Sequence, residues 1–537
     1  MSGILGIAVT GLQAAQAGIR TTEHNIANVN TAGYRRQEVT FSATQPQYTG
    51  MGYFGTGVAT DAVRRIYNQF LDNEVLQNQA QLSRHSTYAT QAGQIDKMLG
   101  DGGSGLSSAL DAFFDAANEL ANDPTSNAAR QNFMSSGSNL AARINSLDGK
   151  LRNMRDSTNA DISTLADRVN TLSSQIASLN VSVAQAEAVN GRPANDLRDQ
   201  RDQLLAELNK LVNVTTLEQG DGMVNVFIGS GQALVVGNSA NSMSTTLDPS
   251  DTSSRIPVLN VAGSTVQLDS RLVSGGELGG ILAQREEVLI PALDDLNRIA
   301  MGLAGSVNAL HRAGYDYTGT AGVDFFSNPL VAQGTVTGAL EMTVSNDLLL
   351  DRQGYQITAT AGGYDVTVLS TGVTTSYASV AAVNAAGLGF NLSVTTAPVP
   401  GDTWIMGDYA RNISMALTST TQVAAAGSTG GPGDNTNALA LAQLRNDDIL
   451  NNGTISFSET YAQTISRTAS LASNADLSRS AYTALVEQST ADQLSASGVN
   501  LDEEAVNLIK FQQAYQASAK AIQVASSLFD ELIGVLR

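Results

Sequence analysis

The chain of 537 residues contains no cysteine, which excludes disulfides, thiolate metal sites and cysteine nucleophiles together. Charge is scarce: 15% of residues are charged, and Lys and Arg number 30 against 50 Asp and Glu, a formal net charge of −20. A phosphate backbone would be repelled, and no long basic stripe offsets that, so nucleic acid is excluded as a partner. No run approaches the ~18–20 apolar residues of a membrane span. The N-terminus has neither a basic n-region nor a small-residue cleavage site behind an apolar core. The expectation is a soluble protein without membrane insertion, which leaves the cell, if it does, by a route that cleaves no signal peptide.

Catalytic signals are absent in the same way. His24, His85 and His311 are isolated in sequence, with no His-Glu-x-x-His helix. "DGGSGLSSAL" at 101–110 lacks the Lys-Ser/Thr of a phosphate loop and reads as a helix-initiating turn. "FIGSGQ" at 227–232 reads as a hairpin corner, not a nucleophile elbow. Glu286–Glu287, Asp294–Asp295 and Glu503–Glu504 read as solvated faces or helix N-termini. The sequence therefore offers no catalytic, cofactor or metal site, and the chain is read as no enzyme.

What is present is a polar, weakly charged chain rich in Ala, Ser, Asn, Gln and Thr, a surface common in proteins that assemble side by side. Its length suits two to four domains. The missing cysteines fit either chance or a chain that must be unfolded and moved without crosslinks.

Leu5, Leu12, Ile19 and Ile26 recur every seven residues, with Ala8, Ala15 and Thr22 between them. This is the apolar seam of a helix built to lie along another helix. Asn28, Asn30 and Gly33 end it, since Asn and Gly tolerate left-handed backbone. Gly3, Gly6, Gly11 and Gly18 make the helix weak in isolation, so it is expected to fray without a partner. A matching seam, Leu508, Phe511, Tyr515, Ser518, Ile522, Ala525, Phe529, Leu532 and Leu536, runs through the last segment. Two seam-bearing ends suggest that the termini pair with each other.

Between them, helical patterns dominate from about Asn68 to Leu211. Leu140, Ile144, Leu147, Leu151 and Met154 keep one rhythm, slip near Thr158, and resume at Ile162, Leu165, Val169, Leu172, Ile176, Leu179 and Val183, a coiled-coil discontinuity. "GRPANDLRDQRDQLLAEL" gives a turn and an acidic helix start. From Val214 short alternating strands follow, then a return to helix in the stretch 275–316, a strand-like stretch from about Asp316 to Asp408 holding the single Trp404, and helices to the end.

"NIANVNTAGYRRQEVTF" at 25–41 resembles the signature shared by bacterial flagellar rod, hook and hook-associated proteins, in Ala27, Asn28, Asn30, Thr31, Gly33 and Tyr34. "SGVNLDEEAVNLIKFQQAYQASAKAIQVASSLFDELI" resembles its C-terminal counterpart. Interior stretches such as "FFDAANELANDPTSNAARQNFMSSGSNLAARIN" and "GGELGGILAQREEVLIPALDDLN" are similar to the hook-associated protein 1 (FlgK) family. The resemblance covers most of the chain outside roughly 325–400. It implies a structural protein joining hook to filament, secreted unfolded through the flagellar type III apparatus to the extracellular hook–filament junction. Implied partners are further copies of itself, the hook protein, a second junction protein (hook-associated protein 3) and an export chaperone on the C-terminal helix. The interface residues it implies are Leu5, Leu12, Ile19, Ile26, Leu508, Phe511, Tyr515, Ile522, Phe529 and Leu532. Arg35 and Arg36 then pair with acidic neighbours at the subunit boundary, or sit on a solvated loop.

The expected architecture is α+β and multidomain: terminal coiled-coil helices, an elongated helical bundle and β-rich outer insertions. The expected divisions are an axial helix and turn at 1–60, bundle at 61–213, β-rich 214–272, helical return 273–315, outer β-rich domain 316–408, bundle again at 409–498 and axial helix 499–537. The rivals are a hook protein, whose middle is almost all β, and flagellin, which lacks the Asn-x-Asn-Thr-x-Gly-Tyr signature. A cytosolic coiled-coil scaffold, or an adhesive or hydrolytic module in 316–408, comes from other classes.

Overall fold

The computed structural model describes residues 2–48, 50, 52–100, 105–261, 263–351, 354–407, 409–429 and 431–535. Helix α1 (Ser2–Ala27) leads into strand β1 (Gln37–Ala43), a small hairpin of β2 (Gln47–Tyr48) and β3 (Tyr53–Phe54), and β4 (Val58–Arg65). β4 returns antiparallel along β1, from Gln37 opposite Arg65 to Ala43 opposite Val58. The expected division after residue 60 therefore cuts through β4, because the ladder needs that strand to Arg65.

The body begins with α2 (Gln69–Leu99), α3 (Leu106–Asn122), α4 (Asn127–Asn190) and α5 (Asn195–Leu211). Caps set these ends. The Asn68 side chain accepts from the Phe70 N–H and the Ser126 hydroxyl from the Ala129 N–H. Gly191, at φ +58°, takes the left-handed position that closes α4.

α4 is one unbroken helix of 64 residues through the sequence slip. Before the slip, Leu140, Ile144, Leu147 and Leu151 are buried in one core; after it, Ile162, Leu165, Val169 and Ile176 are buried in a second. The slip marks a change of packing partner, not a break in the helix. Thr158, buried at the handover, satisfies its hydroxyl on the Met154 carbonyl at 2.9 Å.

The second core closes against a four-stranded sheet of β5 (Val214–Glu218), β6 (Val224–Ile228), β7 (Gln232–Val236) and β8 (Ser239–Ala240). Three strands more, β9 (Ser242–Asp248), β10 (Asp251–Val261) and β11 (Ser264–Gln267), form a second antiparallel sheet. The chain then returns through α6 (Gly276–Gln284) and α7 (Ile290–Ala313), joined without interruption by a π-turn at Arg285–Leu289. Pro291, which has no N–H to give a regular ladder, lies two residues beyond the end of that turn.

The first core stacks Phe113, Phe133, Phe325 and Phe326, with centroids 4.8–5.8 Å apart. Beyond it, β12 (Leu330–Ala332), β13 (Ala339–Val344), β14 (Tyr355–Thr360), β15 (Gly363–Val368), β16 (Thr374–Tyr377), α8 (Val380–Ala385), β17 (Phe390–Thr396) and β18 (Thr403–Met406) form the outer region. Its sheet order is β12-β18-β14-β15-β16, with β13 and β17 as a separate pair. Trp404 is buried at the Ile357 register position. Short α9 (Tyr409–Asn412), α10 (Thr436–Gln443) and α11 (Leu450–Gly453) lead to α12 (Phe457–Ser497) and α13 (Leu501–Val535). A capping box, Ser456 with Glu459, starts α12, which runs along α2.

Asp295 departs from the solvated reading, and the sequence-isolated His311 has a structural place. Asp295 is buried and accepts from Thr464 at 2.8 Å and Arg467 at 2.7 Å, with Arg298 also on it. His311 is fully buried, and its Nε2 accepts the Ala424 N–H at 2.9 Å while Nδ1 faces the Val323 carbonyl. That pattern is the neutral ring, and burial lowers its pKa to about 4.

Candidate functional site

α1 and α13, from opposite ends of the chain, lie along each other. The partner that the weak, Gly-rich α1 needs is in its own chain. Leu12, Ile19 and Ile26 on α1 and Leu508, Phe511, Tyr515 and Ile522 on α13 are half-buried, whereas Leu5 (44% exposed) and Phe529 (55%) remain open. The side chain of Leu532 and all of Leu536 lie outside the described residues. Along the seam of α1 the small residues lie deeper than the large ones: Ala8, Ala15 and Thr22 are buried.

Close approach explains this. A Cβ built on Gly18 would sit 2.6 Å from the Phe511 ring, and one on Gly11 would sit 3.0 Å from the Ser518 hydroxyl. Gly11 and Gly18, two of the four glycines that weaken α1 as a lone helix, make the groove that α13 fills. Phe511 is also 6.3 Å, centroid to centroid, from Phe41 on β1.

The signature turn is built around a residue outside the six signature positions. Asn25, 1% exposed, donates to the Gln37 carbonyl at 2.9 Å and accepts the Gln37 N–H at 3.0 Å, pairing with that backbone as a strand would. Its carbonyl also accepts the Tyr34 hydroxyl at 2.7 Å, so His24 Nδ1, 3.0 Å from the Tyr34 oxygen, donates to it. Burial first, then Asp196, Asp199 and Glu504, raises the Tyr34 pKa and keeps it neutral. Asn28 bonds back to the His24 carbonyl at 2.9 Å and accepts from Thr31 at 3.1 Å, and Gly33 takes φ +78° to reverse the chain. Ala27, Asn30 and Thr31 are exposed.

Arg35 and Arg36 are neither on a solvated loop nor left for another subunit. The β1–β4 ladder carries them to acids of their own chain. Arg35 reaches Asp72 at the start of α2 at 2.7 Å, and its N–H reaches Asp199 at 3.2 Å. Arg65, closing the same ladder, bonds Asp199 at 2.8 Å and Asp202 at 2.7 Å. Tyr67 lies beneath both guanidinium groups, at 5.1 and 5.3 Å. Arg36 pairs with Glu503, and its N–H bonds the Ser497 carbonyl at 2.9 Å, at the corner between α12 and α13. Burial works to lower the Arg65 pKa, but Asp202 and Asp199 outweigh it and hold the charge. The result is a buried ionic clasp tying the axial pair to the body. Sequence reasoning missed Asn25, Arg65, Asp72, Asp199 and Asp202. One signal was legible: Asp196, Asp199 and Asp202 at i, i+3, i+6 form one acidic helix face.

Among the described residues no group of three or more His, Cys, Asp or Glu is arranged to hold a metal, and no helix is long and apolar enough to cross a membrane. The site lays α1 along α13 and ties that pair to the body.

A chain so arranged is of the flagellar axial class, and residues 491–535 match the family model for the flagellar basal body rod FlgEFG protein C-terminal. Residues 92–326 match the flagellar hook-associated protein FlgK helical domain. The chain belongs to the flagellar hook-associated protein 1 (FlgK) family. It is 32% identical over 548 residues to flagellar hook-associated protein 1 of Escherichia coli K12, covering 100% of both chains. Against the protein of that name from Salmonella typhimurium it is 31% identical, again over 100% of both. Its fold is similar to the flagellar hook junction protein FlgK from Burkholderia pseudomallei: TM-score 0.63, 25% identity, covering 79% of this chain and 100% of that one. It is thus a structural, hook-associated protein of the flagellum.

Proposed function

We propose that the chain is a subunit of the extracellular junction between flagellar hook and filament, placed there by its paired terminal helices. The observation that carries this is the α1–α13 pair, whose small-residue seam and Asn25 turn bring both chain ends into one rod beside the clasp. The rod, 1–65 with 499–537, is the axial unit; the helical body and the outer strands at 316–408 hang from it. Leu12, Ile19 and Ile26 with Leu508, Phe511, Tyr515 and Ile522 hold the rod together, and hook protein and hook-associated protein 3 are its neighbours on either side. The role is mechanical, without catalysis.

Export as an unfolded chain fits the same geometry. Until α1 covers it, α13 displays Leu508, Phe511, Tyr515 and Ile522 besides the exposed Val506, Ile509 and Phe529, an association hazard that a cytosolic chaperone helix laid into the seam would cover.

The test is a strain lacking this chain, complemented or not. Loss should leave intact hooks, no filaments and free flagellin in the medium, and complementation should return the chain to isolated hook–filament junctions. Normal filaments in its absence, or the chain found along the hook shaft, would overturn the reading.

A further inference from the structure

The β2–β3 hairpin projects three aromatic side chains: Tyr48 is 64% exposed, Tyr53 75% and Phe54 53%. Tyr48 and Tyr53 face each other across it, centroids 5.3 Å apart. Only 5% of this chain is aromatic, so three exposed rings on one tip form a concentrated apolar feature. Each aromatic removes ~150–250 Å² from water when buried.

Beside the base of the hairpin runs a groove of about 640 Å³, lined by Ile7, Ala8, Gly11, Val58, Ala517 and Ala521. Its walls are mostly small and apolar, with the Ser518 hydroxyl among them.

Charge says what fits there. No charged residue occurs from Val39 to Thr60, and none precedes Arg20. On α13, Lys520 is the only charged residue from Phe511 to Phe529. A chain of net charge −20 repels its copies wherever its carboxylates face one another; hairpin and groove together make a region where that repulsion is weakest.

We infer that the aromatic hairpin of one copy, through Tyr48, Tyr53 and Phe54, docks in the apolar groove between α1 and α13 of a second copy. This rests on the junction reading above and names the surface by which neighbouring subunits recognise each other. α1 and α13 pair within one chain, and the hairpin and the groove lie beside that pair, open to a neighbouring copy.

The test places the photo-crosslinker p-benzoylphenylalanine at Tyr53 in cells that also make the heavy-isotope-labelled unsubstituted chain, and irradiates isolated flagella. Mixed-isotope peptide pairs joining position 53 to residues 7–11 or 517–521 are expected. Same-isotope pairs alone, pairs with a different protein, or no pairs would overturn the assignment. As a second arm, Tyr48→Ser with Tyr53→Ser and Phe54→Ser should leave the circular dichroism melt unchanged and lower the chain retained in flagella at least tenfold; undiminished retention would equally overturn it. If the unsubstituted chain is missing from junctions, the junction reading itself fails. If it is present while Tyr53 cross-links elsewhere, the hairpin assignment alone fails.

Discussion

Gly18 shows how one residue carries opposite meanings. In the sequence it reads as a weakness, since Gly in a helix costs about 1 kcal/mol against Ala. In the structure it is the place where the Phe511 ring meets backbone. Gly18→Ala should therefore displace the ring and separate α13 from α1, although it raises helix propensity. Gly6, with nothing within 4 Å of an added Cβ, is the control. Gly6→Ala should leave assembly intact and stabilise α1 by up to about 1 kcal/mol, whereas Gly18→Ala should speed proteolytic removal of both ends. Equal protection in the two variants would contradict the close-packing account.

His311 supplies a second residue-scale outcome. Its folded pKa, lowered to about 4 by burial with Arg312 adding to the shift and Asp316 opposing it, lies below the ordinary 6.5. Between those values the unfolded chain binds a proton that the folded chain refuses, so stability falls as pH falls from about 6.5 to about 4, by roughly 1.4 kcal/mol per pH unit at most. His311→Gln, which offers a neutral donor and acceptor, should flatten that part of the urea midpoint against pH; an unchanged slope would show that His311 does not supply it. The isolated position of this histidine in the sequence suggested no site, and the structure makes it part of the core.

At the scale of elements, the clasp decides whether the axial pair and the body move together. Arg65→Ala would leave Asp199 and Asp202 facing each other with their main cation gone. Removing one partner of a buried pair costs on the order of 3–5 kcal/mol. The β1–β4 ladder should then detach from α5, seen as faster hydrogen exchange at 37–65 while α3 and α4 stay protected. Protection unchanged in β1 and β4 would mean that the ladder holds without the ions.

Long periodic elements were legible for a physical reason: a helix advertises its buried face every three or four residues. The slip at Thr158 was legible too, but its meaning was not, because periodicity reports that a face is buried and not against what. The clasp was out of reach for the complementary reason. Arg35 and Asp199 stand 164 positions apart, and only the return of β4 along β1 brings them together.

At the scale of the whole molecule, its two ends are one element and everything between is an insertion. Ile19→Asp with Ile522→Asp places carboxylates on both sides of the seam, where burying an unpaired charge costs several kcal/mol. Filament growth should stop while the body, whose two cores do not include either residue, keeps its melting transition. Filaments of normal length in that variant would remove the seam from the account.

The most direct test of the central claim uses the absence of cysteine. A Cβ on Gly11 would lie 3.9 Å from the Ser518 Cβ, within the ~3.5–4.5 Å that a disulfide spans. Gly11→Cys with Ser518→Cys would create the only two thiols in the chain, and oxidised flagella can be read on a non-reducing gel. A single fast-migrating monomer, cross-linked within each copy, is expected; a ladder of linked copies, or no bond at all, would mean that α1 and α13 do not pair within one chain.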